Sequence, residues 1–186
     1  TGQGMARDAL FVLCIIASLI LTPKEVREKN QFSWDPIFEV AKLFAGIFVC
    51  MGPVLAMLKA GSSGAFAPLV ALVSNSDGTL NNSAFFWLSG ALSSFLDNTP
   101  TYLAFFNLAG GDPTVLMGAD AVTLLAISLG SVFMGANTYI GNAPNFMVLS
   151  IAQSRGVKMP SFFGYMAWSV GILIPTFLLI DWLYLM

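Results

Sequence analysis

The sequence predicts an all-α membrane protein with about four transmembrane helices, one of them discontinuous, and one re-entrant helical hairpin. Three observations predict this class. The 186-residue chain is 56% hydrophobic and only 10% charged, whereas soluble domains are about 25% charged. Its apolar residues form long runs separated by short polar loops. Two of these runs are interrupted by segments that contain asparagine and proline. We therefore treat residues 1–186 as a single transmembrane domain.

The composition also narrows the chemistry. The chain has no histidine, and Cys14 and Cys50 each stand alone inside apolar stretches. A disulfide framework, a zinc site and histidine-based acid–base catalysis therefore lack their usual residues. The net charge is only −2, and the charges lie mostly between the apolar runs. Nothing in this pattern indicates a nucleic-acid surface. We expect a protein that is not an enzyme and has no cofactor.

The first half of the chain contains two predicted spans. The first covers residues 5–22, and Pro23 ends it. A charged loop follows at 24–30, and Trp34 marks the next membrane interface. The second span runs from about residue 36 to 59. From 61 to 82 the chain is too interrupted by glycine and asparagine to span, and we expect a short packing helix over 65–73.

The first interrupted run extends from Ser83 to Leu108 and is broken at Asp97-Asn98-Thr99-Pro100. Each arm is about half a membrane long at about 1.5 Å per residue. The run is therefore either one broken span or a hairpin that enters and leaves on the same side. A hairpin places the basic loops at 24–30 and 155–158 on one side of the membrane, as the positive-inside rule requires. We therefore predict a re-entrant hairpin over about 83–110, open to the non-cytoplasmic face.

The second interrupted run is predicted to form a discontinuous helix over about 119–153. It is broken by Gly135-Ala136-Asn137 and by Gly141-Asn142-Ala143-Pro144-Asn145. A last span follows at 161–185, in which a glycine and a proline are expected to mark a kink. Asp181 lies close to the end of this span, and we interpret it as a solvated end residue.

Each interruption is expected to start a new half-helix at its proline, because proline is favoured in the first helical turn. The new helix would direct its partial positive end into a cavity, and the helix before it would leave free carbonyls there. Carbonyl and amide oxygens suit a cation such as sodium, whereas helix N-termini suit an anion. Paired interruptions of this kind indicate a binding site. The predicted site residues are Ser93, Asp97, Asn98, Thr99, Asn137, Gly141, Asn142 and Asn145.

Asp97 is the most informative of these residues, because a carboxylate inside a membrane is costly and is usually functional. A nearby cation would lower its pKa and burial would raise it, so one group could exchange a proton for sodium. The alternative is that Asp97 or Thr99 only caps a helix, and that the asparagines only satisfy loop backbone.

The segments Ser93-Ser94-Phe95-Leu96-Asp97-Asn98-Thr99-Pro100-Thr101 and Gly141-Asn142-Ala143-Pro144-Asn145 resemble the C-terminal repeat of the ion transporter superfamily. The branch that they resemble most contains sodium/proton antiporter-like and citrate-transporter-like (CitMHS-like) proteins. The resemblance implies half of an inverted-repeat transporter, with a hairpin and a broken helix in each repeat. It further implies that Ser93, Asn98 and the Gly141 carbonyl bind sodium, and that Thr99 faces the substrate.

The same resemblance implies partners. One repeat supplies half of the family's site, so we expect a missing N-terminal repeat or a separate complementary half, and a homodimer of the complete protein. We expect a multi-pass protein of the inner membrane of a bacterium.

Dicarboxylate members carry Ser-Asn-Thr at the hairpin tip, where this chain has Asp97-Asn98-Thr99. The added negative charge opposes a dianion and favours proton-coupled exchange. Sodium/proton antiport is therefore the leading hypothesis, and sodium-coupled citrate or carboxylate symport is the alternative. Two hypotheses come from other classes: a membrane scaffold subunit without transport activity, and an enzyme that uses Asp97 with a neighbouring serine. The enzyme hypothesis is the weaker of the two, because that region has no histidine or lysine that could activate the serine.

Overall fold

The computed structural model describes residues 2–60 and 63–186. Within these ranges the regular secondary structure is helical, and the only strand-like pairing is an isolated bridge between Ser74 and Leu80. The prediction of an all-α chain is therefore confirmed. The chain forms two compact units, Thr1–Gly46 and Ile47–Met186.

The helices follow one another along the chain with short connections. They are α1 (Gly2–Leu21), α2 (Lys24–Lys29), α3 (Asp35–Lys59), α4 (Ala67–Leu72), α5 (Asn82–Ser93), α6 (Asn98–Leu108), α7 (Pro113–Leu116), α8 (Ala121–Phe133), α9 (Ala143–Ser154) and α10 (Phe162–Tyr184). A 3₁₀ helix over Met134–Asn137 continues directly from α8.

Among the described residues, two helices are long and apolar enough to cross a membrane: Gly4–Leu21 of α1 and Phe162–Tyr184 of α10. Large aromatic side chains on α10 are exposed: Phe163 is 78% exposed and Trp168 is 69% exposed. Apolar residues exposed along such a helix are typical of a surface that contacts lipid or another part of a membrane protein.

In the first unit, the Arg27 side chain caps the C-terminal end of α1. Its guanidinium donates hydrogen bonds to the carbonyls of Ser18 (3.0 Å) and Leu19 (2.8 Å). These carbonyls belong to the last turn of α1, where backbone acceptors lack partners within the helix, and the Ser18 carbonyl also accepts from the Thr22 N–H (3.1 Å). The charged loop predicted at 24–30 therefore contains a short helix, α2, that caps the helix before it.

In the second unit, α5 and α6 fold back on one another. The rings of Phe85, near the start of α5, and Phe105, near the end of α6, lie 6.2 Å apart between centroids. In one continuous helix, residues with this separation in sequence would be about 30 Å apart. The two helices therefore form a hairpin whose turn is the Ser94–Asp97 segment.

Helix α8 runs parallel to α5. Near the start of both helices, Thr123 Oγ1 donates to Asn82 Oδ1 (2.7 Å), and near their ends Ser93 Oγ lies 2.5 Å from the Ser131 carbonyl. The backbones approach closely at Gly130, where a Cβ atom would lie less than 3.0 Å from the Phe86 carbonyl. A small residue is required at such a crossing.

Helix α10 runs antiparallel to α5, and its contacts correct one expectation. Asp181 was expected to be solvated, but it is only 3% exposed. Its carboxylate accepts hydrogen bonds from Ser83 Oγ (2.7 Å) and Trp87 Nε1 (2.8 Å) of α5. Its place near the end of a helix does not expose it, because the first turns of α5 cover that end.

The expected starts of the two half-helices also differ from the structure. Helix α6 begins at Asn98, so Pro100 occupies its third position, and α9 begins at Ala143, so Pro144 occupies its second. Both prolines still lie in the first turn, where a missing N–H removes no intrahelical hydrogen bond. The residues that start the helices are the capping residues Asp97 and Asn142.

Replacing Gly130 by alanine is expected to lower the free energy of unfolding by about 1–3 kcal/mol, because the added Cβ forces α8 away from α5. The matched control is Gly171→Ala in α10, where a Cβ would meet nothing within 4 Å. Alanine there is expected to leave stability unchanged or slightly higher. Thermal unfolding of the detergent-purified protein measures both variants. Equal stability of the two would contradict the close approach at Gly130.

Candidate functional site

The two interruptions lie directly against each other. A Cβ atom on Gly135 would lie less than 3.0 Å from Asn98 Oδ1 and 3.3 Å from the Gly141 carbonyl oxygen. A Cβ atom on Gly141 would lie 3.0 Å from the Ser93 carbonyl oxygen. The hairpin turn, the 3₁₀ helix and the segment before α9 therefore meet at two glycines. Any larger side chain at either position would separate them.

Both interruptions start their second helix by the same local device. The Asp97 carboxylate accepts a hydrogen bond from the Thr99 N–H (3.1 Å), and Asn142 Oδ1 accepts one from the Asn145 N–H (2.9 Å). An Asp or Asn side chain in this position satisfies a backbone donor that the first helical turn leaves unpaired. The sequence folds in this way at both places because a short polar side chain precedes a proline in each.

The carbonyls at the end of α8 were expected to be free, and this expectation is wrong for residues 134–138. Each of these carbonyl oxygens lies within hydrogen-bond distance of a side-chain donor. The donors are Ser94 for Met134 (3.0 Å), Asn145 for Gly135 and Thr138 (both 3.1 Å), Tyr165 for Ala136 (2.9 Å) and Ser169 for Asn137 (2.7 Å). Side chains from the hairpin, α9 and α10 thus offer donors to these carbonyls. Ser94 Oγ also lies 2.9 Å from the Gly90 carbonyl, so its one hydrogen serves only one of its two acceptors at a time.

Other oxygens in the same region lack such a donor. No hydrogen bond reaches the Gly141 carbonyl from the residues that the structure describes. Asn137 is only 8% exposed, and its Oδ1 is without a partner in the same part of the chain. Ser93 Oγ lies 2.5 Å from the Ser131 carbonyl and 3.0 Å from Asn98 Oδ1, but one hydroxyl hydrogen serves only one of them at a time. The region therefore retains oxygen lone pairs that could bind a cation.

The contacts of α10 show where the two interruptions lie along the length of this helix. Ser169, which donates to the Asn137 carbonyl, is seven residues from the first residue of that helix and fifteen from its last. At about 1.5 Å per residue, the interruptions lie about 10 Å from one end of α10 and about 23 Å from the other. They therefore lie well within the length of an apolar helix that is long enough to span a membrane.

The structure brings most of the predicted site residues together. Those that meet at the two interruptions are Ser93, Asn98, Asn137, Gly141, Asn142 and Asn145. Asp97 and Thr99 lie at the edge of this group, with Asp97 partly exposed and Thr99 exposed. The Asp97 carboxylate caps α6, as the alternative interpretation of Asp97 as a helix cap predicts.

Sequence reasoning missed several residues of the same network. Ser94 accepts a hydrogen bond from Asn137 Nδ2 (3.0 Å), and Thr138 Oγ1 donates to the Ser94 carbonyl. Tyr165 and Ser169 reach the interruption from α10. Their four-residue spacing places both polar groups on one face of a largely apolar helix, and this is the signal that could have revealed them.

The family of proteins that matches this chain is CitMHS_2, described as "Putative citrate transport", and the match covers residues 1–185. The chain belongs to this family. The resemblance to CitMHS-like ion transporters is thereby confirmed, and membership of a transporter family, together with the apolar helices α1 and α10, identifies a membrane protein. No curated protein and no solved structure matches the chain.

Replacing Ser169 by alanine is expected to loosen the second interruption, because the buried Asn137 carbonyl then loses its donor. Leaving one buried acceptor without a partner costs about 1–3 kcal/mol. Hydrogen exchange of the amides of residues 134–142 should therefore become faster. The control is Thr176→Val, because the Thr176 hydroxyl bonds only to Ile172 of its own helix. Equal exchange in the two variants would show that Ser169 does not hold the interruption.

Proposed function

We propose that this chain is one half of a secondary transporter that exchanges sodium for protons by alternating access. The ion would bind between the hairpin turn and the interruption after α8. The observation that carries the proposal is the meeting of two helix interruptions that leave oxygens without donors, at a depth within the span-length helix α10. Irregular backbone is tolerated at membrane depth where it lines a cavity, and such cavities commonly bind the transported ion.

The chemistry of the oxygens favours a monovalent cation. Asn98 Oδ1 and the Gly141 carbonyl oxygen both lie within 3.3 Å of the point that a Gly135 Cβ would occupy. Ser93 lies beside them, with its hydroxyl 3.0 Å from Asn98 Oδ1. These oxygens are neutral ligands, and hard cations prefer oxygen ligands. A singly charged ion costs less to dehydrate than a divalent one, so neutral ligands suit sodium better than calcium.

Asp97 supplies the group that could couple protons to sodium. It directly precedes Asn98, and its carboxylate accepts one hydrogen bond, from the Thr99 N–H. Among the side chains that the structure describes, the only ion pair joins Arg7 to Asp8, and none of them is a cationic partner of Asp97. A cation bound at Asn98 would disfavour protonation of Asp97, and a proton on Asp97 would weaken cation binding. This mutual exclusion is what antiport requires.

A sodium-coupled carboxylate symporter is the second candidate, because the description of the family names citrate transport. The N-termini of α6 and α9 are the places where a carboxylate would bind. Each already has an amide donor occupied by its own cap, and the cap of α6 is the carboxylate of Asp97. A negative charge at that helix end opposes a polyanionic substrate. Antiport therefore remains the leading proposal.

The assembly is part of the same proposal and rests on the resemblance to the superfamily. The complete protein would contain a second, inverted repeat with its own hairpin and broken helix, and it would form a homodimer in the inner membrane of a bacterium. The complete protein is therefore the one to be tested, because this chain supplies one side of the proposed site.

A pH jump across liposomes that contain the complete protein is expected to produce sodium-dependent proton flux without citrate. Asp97→Asn should abolish the coupling, because asparagine still caps α6 but takes up no proton. The matched control is Asp112→Asn, since Asp112 caps α7 through the Thr114 N–H (2.8 Å). Flux that strictly requires citrate would contradict antiport and support symport. Full activity of Asp97→Asn would contradict the proposed coupling role of Asp97.

Gly135→Ala is expected to weaken sodium binding at least about tenfold, because its Cβ would displace Asn98 Oδ1 from the proposed site. The sodium concentration that gives half-maximal flux measures this effect. Gly171→Ala serves as the control, as its Cβ would enter open space. An unchanged sodium dependence in Gly135→Ala would place the cation elsewhere.

A further inference from the structure

Asp181 is a buried carboxylate outside the proposed ion site. It lies in the last turn of α10 and is 3% exposed, and each of its oxygens accepts one hydrogen bond from α5. None of the basic side chains that the structure describes forms an ion pair with it. A buried carboxylate without a cation is costly, and such residues within membrane segments usually have a function.

The position of Asp181 relates it to both interruptions. Ser83, its first partner, lies about 15 Å along α5 from Ser93 at the hairpin turn. On α10, Asp181 lies about 18 Å from Ser169, which binds the second interruption. Helix α10 therefore contacts the base of the hairpin in its last turn and the interruption after α8 within its first half.

The contacts explain why a carboxylate suits this place. An ionised carboxylate is an acceptor at both oxygens, so it binds the serine hydroxyl and the indole N–H at once. Ser83 lies in the first turn of α5, near the partial positive end of that helix, whereas Asp181 itself lies near the partial negative end of α10, so the two hydrogen bonds are what stabilise the carboxylate here. Around it, Phe86 packs edge-on against both Trp87 and Phe177, with ring centroids 5.4 and 6.3 Å apart. The carboxylate is thus the polar centre of an apolar contact between the two helices.

We propose that Asp181 is a positioning residue that fixes the depth of the hairpin turn relative to the second interruption. By anchoring the first arm of the hairpin to α10, it holds Ser93 and Asn98 level with Gly135 and Gly141. Its effect on sodium rests on the proposed function, whereas its effect on the geometry of the hairpin does not.

Hydrogen exchange of the complete protein in detergent tests the geometry. Asp181→Leu is expected to speed amide exchange at residues 94–101 and 134–142 several-fold, although these segments lie far from the substitution. Asp120→Leu is the control, since Asp120 is an acidic residue at the start of α8 that makes no side-chain cap. An increase confined to residues near 82–87 and 181–186 would overturn the proposal, because Asp181 would then be only a local contact.

Three further variants keep the test decisive if Asp181→Leu fails to fold. Asp181→Asn should restore slow exchange, because its amide oxygen accepts from Trp87 and its amide hydrogens reach the Ser83 hydroxyl. Ser83→Ala and Trp87→Phe each remove one donor and should reproduce the same pattern of faster exchange more weakly. Normal exchange at both interruptions in these two variants would also overturn the proposal.

The sodium dependence of flux gives the second readout. Asp181→Leu should raise the sodium concentration for half-maximal flux about tenfold or more, and Asp181→Asn should restore it. An unchanged value in a folded, active Asp181→Leu protein would contradict the proposal. If the parent protein shows no sodium-dependent flux, the proposed function fails, and the exchange experiment alone then decides the role of Asp181.

Discussion

The structure depends on one constraint: backbone carbonyls that lose their helical partner in an apolar environment must find another donor. The helix formed by α8 and its 3₁₀ extension ends inside the packed unit, so the i→i−4 hydrogen bonds of the α-helix do not continue to the carbonyls of residues 134–138. Each unpaired acceptor would cost about 1–3 kcal/mol. The donors that replace the lost bonds come from the hairpin, α9 and α10. Satisfying these acceptors therefore fixes where three other elements lie.

The same constraint explains which oxygens remain available. The donors occupy the carbonyls that end the helix, and they leave the Gly141 carbonyl and one side-chain oxygen of Asn137 without a bond from the described residues. Close approach at Gly135 then brings Asn98 Oδ1 next to the Gly141 carbonyl. The proposed cation site thus lies at the point where the backbone is irregular and some oxygens lack a donor, and the surrounding hydrogen bonds hold the segments around it.

Part of the fold and of the candidate site could be predicted from the sequence, because local chemistry determines it. The helical class follows from composition, and the interruptions follow from Asp97 and Asn142, because short polar side chains before proline cap helices whatever surrounds them. Tertiary contacts were not predictable in the same way. Asp181 is buried by Ser83, which lies 98 residues away in sequence, and no local pattern encodes that pairing. Tyr165 and Ser169 left only a weak signal in their spacing. The family itself was recognisable from the two interrupted motifs.

The two interruptions share a capping geometry but differ in charge, and this difference bears on coupling. Asn142 binds the Asn145 N–H with a neutral amide, which takes up no proton near neutral pH. Asp97 binds the Thr99 N–H with a carboxylate, which can be protonated. If the caps served only to start helices, asparagine would suffice at both places, since both residues cap about equally well. The carboxylate therefore adds to the first interruption a property that its structural role does not require. It is also partly exposed, like Asn98, Asn142 and Asn145, and in the proposed mechanism it is the one of these residues that exchanges a proton.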